Sequence, residues 1–134
     1  IYRFHQAKIN KLASVTVWGT GNVKREFLYV DDMAKACIYI MNLEEKLYNK
    51  YINPSCSHIN VGSGVDLAIK ELVEIIKEVV GFTGKIFYDT TRPDGIQRKF
   101  LDSKLINTLN FKPKISLKEG LINTYKIYLE NYKF

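Results

Sequence analysis

Cysteine and histidine are scarce in these 134 residues, with two of each. Cys37 and Cys56 cannot build a disulfide framework, and neither belongs to a Cys-x-x-Cys pair. His5 and His58 stand alone in the sequence without a partnered nucleophile, so no Ser/His/Asp constellation can be written. A satisfied, partly buried histidine is the expectation for each. No apolar run approaches the ~18 residues that suggest a membrane span. Repeats, low-complexity tracts and blocks of like charge are missing as well. So are an initiator Met and a signal peptide. The chain opens at Ile1-Tyr2-Arg3-Phe4 within a helical pattern, as expected of a piece whose upstream part lies elsewhere. With so few cysteines, a reducing, cytoplasmic setting is the simplest expectation.

What is present is ordinary for a globular chain: 46% hydrophobic and 25% charged residues, with room for one domain and a real core. Twenty Lys and Arg against 14 Asp and Glu give +6, which favours an anionic partner. Many of the lysines (Lys70, Lys77, Lys118, Lys126) read as solvated helix faces. The nine Tyr and seven Phe fall mainly at strand and helix-core spacings, so the charge does not by itself indicate a nucleic-acid binder.

The pattern predicts alternating strands and helices, an α/β region with too few strands for a complete doubly wound sheet. Residues 1–12 read as the end of a helix and Ser14 to Trp18 as a strand. Arg25 to Val30 reads as extended. A helix follows over Asp31 to Leu43 with Ala34, Cys37, Ile38 and Met41 on its apolar face, Cys37 being a small core residue. Glu44 to Ser57 reads as a polar loop and His58 to Val61 as a strand. Ile69, Leu72, Val73, Ile76 and Val80 mark an amphipathic helix that Gly81 stops. Lys85 to Tyr88 is a strand, and "TTRPDG" a turn. Arg98 to Leu101 is short and extended, and Asp102 caps a brief helix to Leu109. Ser116-x-x-Glu119 opens the last helix, with Leu117, Leu121, Tyr125 and Tyr128 inward.

Two glycine pairs invite a phosphate-binding reading. "HINVGSGVDLAIKELVEII" runs from a strand through Gly62-x-Gly64 into a helix, close to a dinucleotide fingerprint. Leu67 occupies the third glycine position, however, and Asp66 at the helix start suits an N-cap better than a pyrophosphate neighbour. In "VWGTGNVKREFLYVDDMAKA", Gly19-x-Gly21 is followed by extended chain, so a tight turn is expected there. Asp31-Asp32 reads as a helix start and not as a metal site.

The cations are harder to place as scaffold. Arg25 lies among Phe27, Tyr29 and Val30, where its guanidinium is held and can meet a diphosphate in a bidentate way. Lys99 follows a Pro-Asp-Gly turn on structured chain. Trp18, the lone tryptophan, precedes a glycine turn, and either packs on a sugar or base or fills the core.

"VWGTGNVKREFLYVDDMAKA", "HINVGSGVDLAIKELVEII", "RPDGIQRKFLD" and "ISLKEGLINTYKIYLEN" together resemble the C-terminal part of the GDP-L-fucose synthase family, extended short-chain dehydrogenase/reductases. The likeness runs in order through essentially the whole chain. It implies an α/β substrate-binding portion of a Rossmann-like parent, with few strands and about five helices, over residues 1–134. An NADP-binding Rossmann domain would lie upstream, outside this chain, together with every catalytic group. By the same resemblance Arg3, Trp18, Arg25 and Lys99 fall on substrate-binding positions, with Arg25 at the diphosphate and Trp18 lining the pocket. A GDP-sugar partner, a homodimer, and no binding of nucleic acid, membrane or metal are further implications. Arg92, Gln97 and Tyr29 depart from the family pattern and leave the sugar open. Three other readings are a different nucleotide-sugar epimerase or dehydratase, a free-standing module for an anionic partner, and a self-contained dinucleotide-binding domain using Gly62 and Gly64.

Overall fold

The computed structural model describes residues 1–131. These form two compact units, one of residues 1–25, 67–99 and 117 onward, the other of residues 26–66 and 100–116. The architecture is mixed α/β, as the pattern predicts, with six helices among the described residues where about five are expected.

In the first unit, α1 (Tyr2–Ile9) leads into β1 (Ser14–Trp18), which pairs in parallel with β4 (Lys85–Asp89) from Ser14↔Lys85 to Trp18↔Asp89. Between these strands in sequence lies α4 (Ile69–Val80), whose spacing of apolar residues turns Val73 and Val80 into the core. Gly81 ends α4 in the left-handed conformation at φ 71°. The core gathers Phe4, Ala7, Val15, Val73, Val80, Phe82 and Tyr125, with Phe4 and Phe82 edge to face at 5.7 Å. Tyr125 comes from α6 (Leu117–Asn131), and its hydroxyl lies 3.0 Å from Nδ1 of the buried His5. His5 is thus a satisfied core histidine, as expected. Burial, and then the neighbouring Tyr128, push the Tyr125 hydroxyl's pKa up.

The start of α4 differs from the sequence reading. Asp66 is no N-cap: it belongs to the short strand β3 (Asp66–Ala68), and the helix begins at Ile69. The first helical N–H groups have better partners, since Ile69 and Lys70 donate to the carbonyls of Val23 and Gly21 at 3.0 and 2.9 Å. Glu71 reaches back to accept the Ala68 N–H at 2.7 Å. The strands β3, β2 (Lys24–Glu26) and β5 (Arg98–Lys99) line up in that order.

The second unit holds α2 (Val30–Met41), α3 (Glu45–Tyr51) and α5 (Lys104–Thr108) around Ala36, Val61 and Ile106. α3 occupies part of the stretch expected to be a polar loop. The expected strand His58–Val61 carries no ladder among the described residues, because an extended segment becomes a strand only beside a partner. α2 also presents a different face. Asp32 and Ala36 are buried, while Ala34, Cys37, Ile38 and Met41 are exposed, Met41 by 84%. Polar anchors set this rotation: Asp32 Oδ2 accepts the N–H groups of Lys114 and Ile115 at 2.9 and 2.8 Å, and the Tyr39 hydroxyl donates to the Leu109 carbonyl at 2.6 Å. Cys37 is therefore exposed among the described residues, where a core position is expected. The N-cap of α5 is Ser103 and not Asp102, which stands one residue earlier and accepts the Lys104 N–H on Oδ1 at 3.0 Å. No helix of the described residues is long and apolar enough to cross a membrane.

Candidate nucleotide-sugar site

The site is built in the first unit from two turns that meet. Trp18 ends β1, and the chain then turns through Gly19 and Gly21, both left-handed at φ 79° and 75°. The second turn, Arg92 to Gly95, follows β4. Asp94 joins the two: its Oδ1 accepts the Thr20 N–H at 2.9 Å and its Oδ2 accepts the Thr20 hydroxyl at 2.5 Å. These two bonds, the hydroxyl's first, hold the Asp94 carboxyl below its ordinary pKa. Glycine is required at 19 for space as well as for conformation, because a Cβ there would run into the Asp94 carboxylate. At 21 a Cβ would stand 2.6 Å from the Tyr88 ring.

Trp18 is 61% exposed among the described residues, so it fills neither core of this chain. Two guanidiniums stand over its ring, Arg3 at 5.2 Å and Arg92 at 5.3 Å from the centroid. Arg92 also lies 3.9 Å from Asp89. Arg3 and Trp18 line one groove of about 480 Å³, together with Tyr2, Gln6 and Thr16.

Arg25 and Lys99 are register partners in the parallel pairing of β2 with β5. Register partners project to the same face, so the two side chains leave neighbouring positions on one face. Arg25 donates from Nη1 to the Lys24 carbonyl at 2.6 Å, and its guanidinium passes 3.4 Å from where a Cβ of Gly95 would be. Among the described residues neither Arg25 nor Lys99 has a carboxylate in ion-pair contact. The structure thus brings Arg3 to Trp18 and Arg25 to Lys99, with the Thr20–Asp94 junction between the two pairs in the chain. Sequence reasoning passed over Thr20 and Asp94 as turn residues and met Arg92 only as a departure from a pattern. The signal available was Pro-Asp-Gly itself, an acid presented at a tight turn.

The second unit settles the glycine pair at 62 and 64. Glu26 occupies that turn: Oε1 accepts the Gly64 N–H at 2.7 Å and Oε2 accepts the Leu101 N–H at 3.1 Å. A Cβ on Gly62 would lie 2.7 Å from the Glu26 carboxyl carbon. A carboxylate already fills the place a phosphate would need, so these residues do not fit a dinucleotide cofactor. Asp31 and Asp32 sit in the first turn of α2, but Asp32 is a buried acceptor and caps nothing. Among the described residues no three His, Cys, Asp or Glu gather as a metal site. His58, expected to be partly buried, is exposed, with Nδ1 3.6 Å from the Cys56 sulfur.

Residues 1–62 match the NAD dependent epimerase/dehydratase family. The chain is 53% identical over 129 residues to a putative GDP-L-fucose synthase 2 of Arabidopsis thaliana, covering 96% of this chain and 37% of that one. It is 46% identical to a GDP-L-fucose synthase of Escherichia coli K12, covering 96% and 40%. Among solved structures, a GDP-mannoheptose C4 reductase of Campylobacter jejuni with NADP bound superposes with a TM-score of 0.80 at 36% identity, covering 95% and 42%. The chain therefore spans about two fifths of the length of these relatives, matching the C-terminal part of the synthases. In sequence and in fold, this chain is similar to the C-terminal part of GDP-L-fucose synthases and to extended short-chain dehydrogenase/reductase and epimerase proteins.

Proposed function

We propose that these residues are the GDP-sugar-binding part of a GDP-L-fucose synthase. The whole protein would epimerise GDP-4-keto-6-deoxy-D-mannose at C3 and C5 and reduce it at C4 with NADPH. The observation that carries the reading is the Arg25–Lys99 register pair: two cations from neighbouring positions on one face, with no carboxylate between them. A diphosphate completes such a pair, with the planar guanidinium supplying a bidentate contact and the lysine a point charge. Trp18 and Arg3, sharing their groove, line the pocket for the rest of the nucleotide sugar. The relatives' names support the GDP end in particular, since a fucose synthase and a mannoheptose reductase differ in sugar and share GDP. This chain supplies affinity and orientation, holding the ring against groups elsewhere in the protein. The same reading puts NADP outside these residues, and the Glu26 carboxylate in the Gly62–Gly64 turn supports it. A cytoplasmic homodimer that binds no nucleic acid belongs to the same reading.

Calorimetric titration of the full-length protein with GDP and with NADPH tests it. Arg25→Ala should raise the dissociation constant for GDP roughly ten- to a hundredfold, the loss of a charge-assisted contact of about 1.5–3 kcal/mol. Arg25→Lys should recover only part of this. Affinity for NADPH and the melting temperature should stay as they are. Unchanged GDP affinity in Arg25→Ala refutes the reading. Tighter binding of UDP than of GDP would move the protein to another nucleotide-sugar enzyme; one relative, 36% identical, is a putative UDP-glucose 4-epimerase of Methanocaldococcus jannaschii.

A further inference from the structure

The second unit carries a cationic groove of its own, about 510 Å³ in volume, between α2 and the chain that follows α5. Lys35, Ile38, Tyr39 and Asn42 enter it from α2, at the i, i+3, i+4, i+7 spacing of one helix face. After α5 the chain turns at Asn110, which is left-handed at φ 64°. Lys112 and Lys114 then line the groove and Pro113 between them does not, as expected of extended chain ahead of and beyond a proline. Two hydrogen bonds fix the walls. The Tyr39 hydroxyl donates to the Leu109 carbonyl at 2.6 Å, and Asp32 Oδ2 accepts the Lys114 N–H at 2.9 Å, so α2 is pinned near both ends of the 109–114 segment. The floor is aromatic: the half-buried Tyr39 and Phe111 rings lie 5.5 Å apart between centroids, tilted by 42°. Ile38, in the same groove, is 60% exposed. No Asp or Glu lines this surface. Among the described residues none of the three ammonium groups has a carboxylate in ion-pair contact, and Asp31, one turn before Lys35, is no exception. Three cations around one groove repel each other until an anion joins them, and lysines that only solvate a helix face need no aromatic floor.

We propose that this groove binds a nucleoside polyphosphate, with the base on the Tyr39–Phe111 floor and the phosphates on Lys35, Lys112 and Lys114. A flat ring covers the apolar wall that water now meets, and three ammonium groups match the charge of a triphosphate. The volume falls within the range of small-ligand sites. The inference does not rest on the reading of Arg25 and Lys99, because the groove is made wholly of second-unit residues.

The test titrates the full-length protein with ATP by calorimetry, with NADPH present to fill the cofactor site. One ATP per chain should bind with a dissociation constant of about 0.1–1 mM, weakening several-fold as NaCl rises from about 50 to 300 mM. Adenosine and tripolyphosphate should each bind at least about tenfold more weakly than ATP, since each offers only half of the complement. Replacing Lys112→Gln and Lys114→Gln together should raise the constant for ATP at least about tenfold, and Lys35→Gln alone about threefold. All three side chains are exposed, so the melting temperature and NADPH affinity should stay as they are. Arg25→Ala should leave ATP affinity within about twofold, which assigns the bound ATP to the second unit. No ATP bound beyond the cofactor site overturns the proposal, and so do lysine variants that bind ATP as the parent does. Loss of ATP binding in Arg25→Ala, with none in the lysine variants, overturns it while leaving the GDP-sugar reading in place. Tripolyphosphate bound as tightly as ATP reduces the groove to an unselective basic patch. A single-stranded oligonucleotide bound more tightly than ATP, through the same lysines, makes it a nucleic-acid surface. Either result refutes the assignment.

Discussion

A carboxylate that is 1% exposed must find donors, and Asp32 finds two backbone N–H groups 82 and 83 residues further on. It ties α2 to the segment ahead of Ser116 within its unit, and no capping or metal role is left for it. An acidic pair at a helix start looks the same in sequence whether it caps, binds a cation or staples a distant strand of chain. Asp32→Ala should strand both donors and lower the unfolding free energy by about 2–4 kcal/mol, read from urea denaturation. Asp31→Ala, on the exposed side of the same turn, should change it by less than about 0.5 kcal/mol. Equal effects at the two positions would remove the distinction. Arg25 and Asp32 illustrate opposite outcomes for charge next to apolar chain: one remains without a protein carboxylate, the other is fully used by the scaffold.

At the scale of elements, local pattern found most of the helices and both strands of the β1–β4 pair, because their periodicity is strong and their partners lie in the chain. It placed Gly81 as a stop for a reason that the backbone bears out, and Asp102 one residue ahead of the true N-cap of α5, Ser103. It failed where a distant group decides. The rotation of α2 follows Asp32 and Tyr39, whose partners at residues 109–115 no local window contains. The start of α4 follows carbonyls at residues 21 and 23, so Asp66 lost its cap. Trp18 and Arg25 were legible as candidates from their types and settings, whereas the pairing of Arg25 with Lys99 needed the register of β2 on β5. The Gly62–Gly64 turn makes the same point and can be tested. Gly64 has φ +78° with open space around a Cβ, so Gly64→Ala should cost about 1–2 kcal/mol of backbone strain alone. Gly62→Ala drives a methyl into the Glu26 carboxylate and should cost more, displacing the bonds to Gly64 and Leu101. Neither substitution should alter NADPH affinity in the full-length protein. A tenfold change in either would show that a phosphate does approach this turn.

The molecule as a whole carries +6 at neutral pH, and each of its two histidines has its partners within its own unit. His5 is buried against Tyr125 and Tyr128 in the first core, and His58 is exposed beside Cys56. The turn that most resembles a cofactor cradle is closed by Glu26. The role proposed for these 134 residues is recognition, by an exposed indole, the guanidiniums over it, and the Arg25–Lys99 pair. Purified alone, the chain should leave NADPH oxidation in the presence of the GDP-4-keto-sugar at the background rate. It should bind GDP weakly, because only some of the pocket is its own. That binding should weaken further as salt rises, since the contact is between exposed cations and a diphosphate. Spectrophotometry at the NADPH absorbance and titration with GDP at two ionic strengths measure both. Turnover by the isolated chain would mean that a hydride-donor site and an acid–base pair lie within these residues, and the division of labour proposed between them and the rest of the enzyme would be wrong.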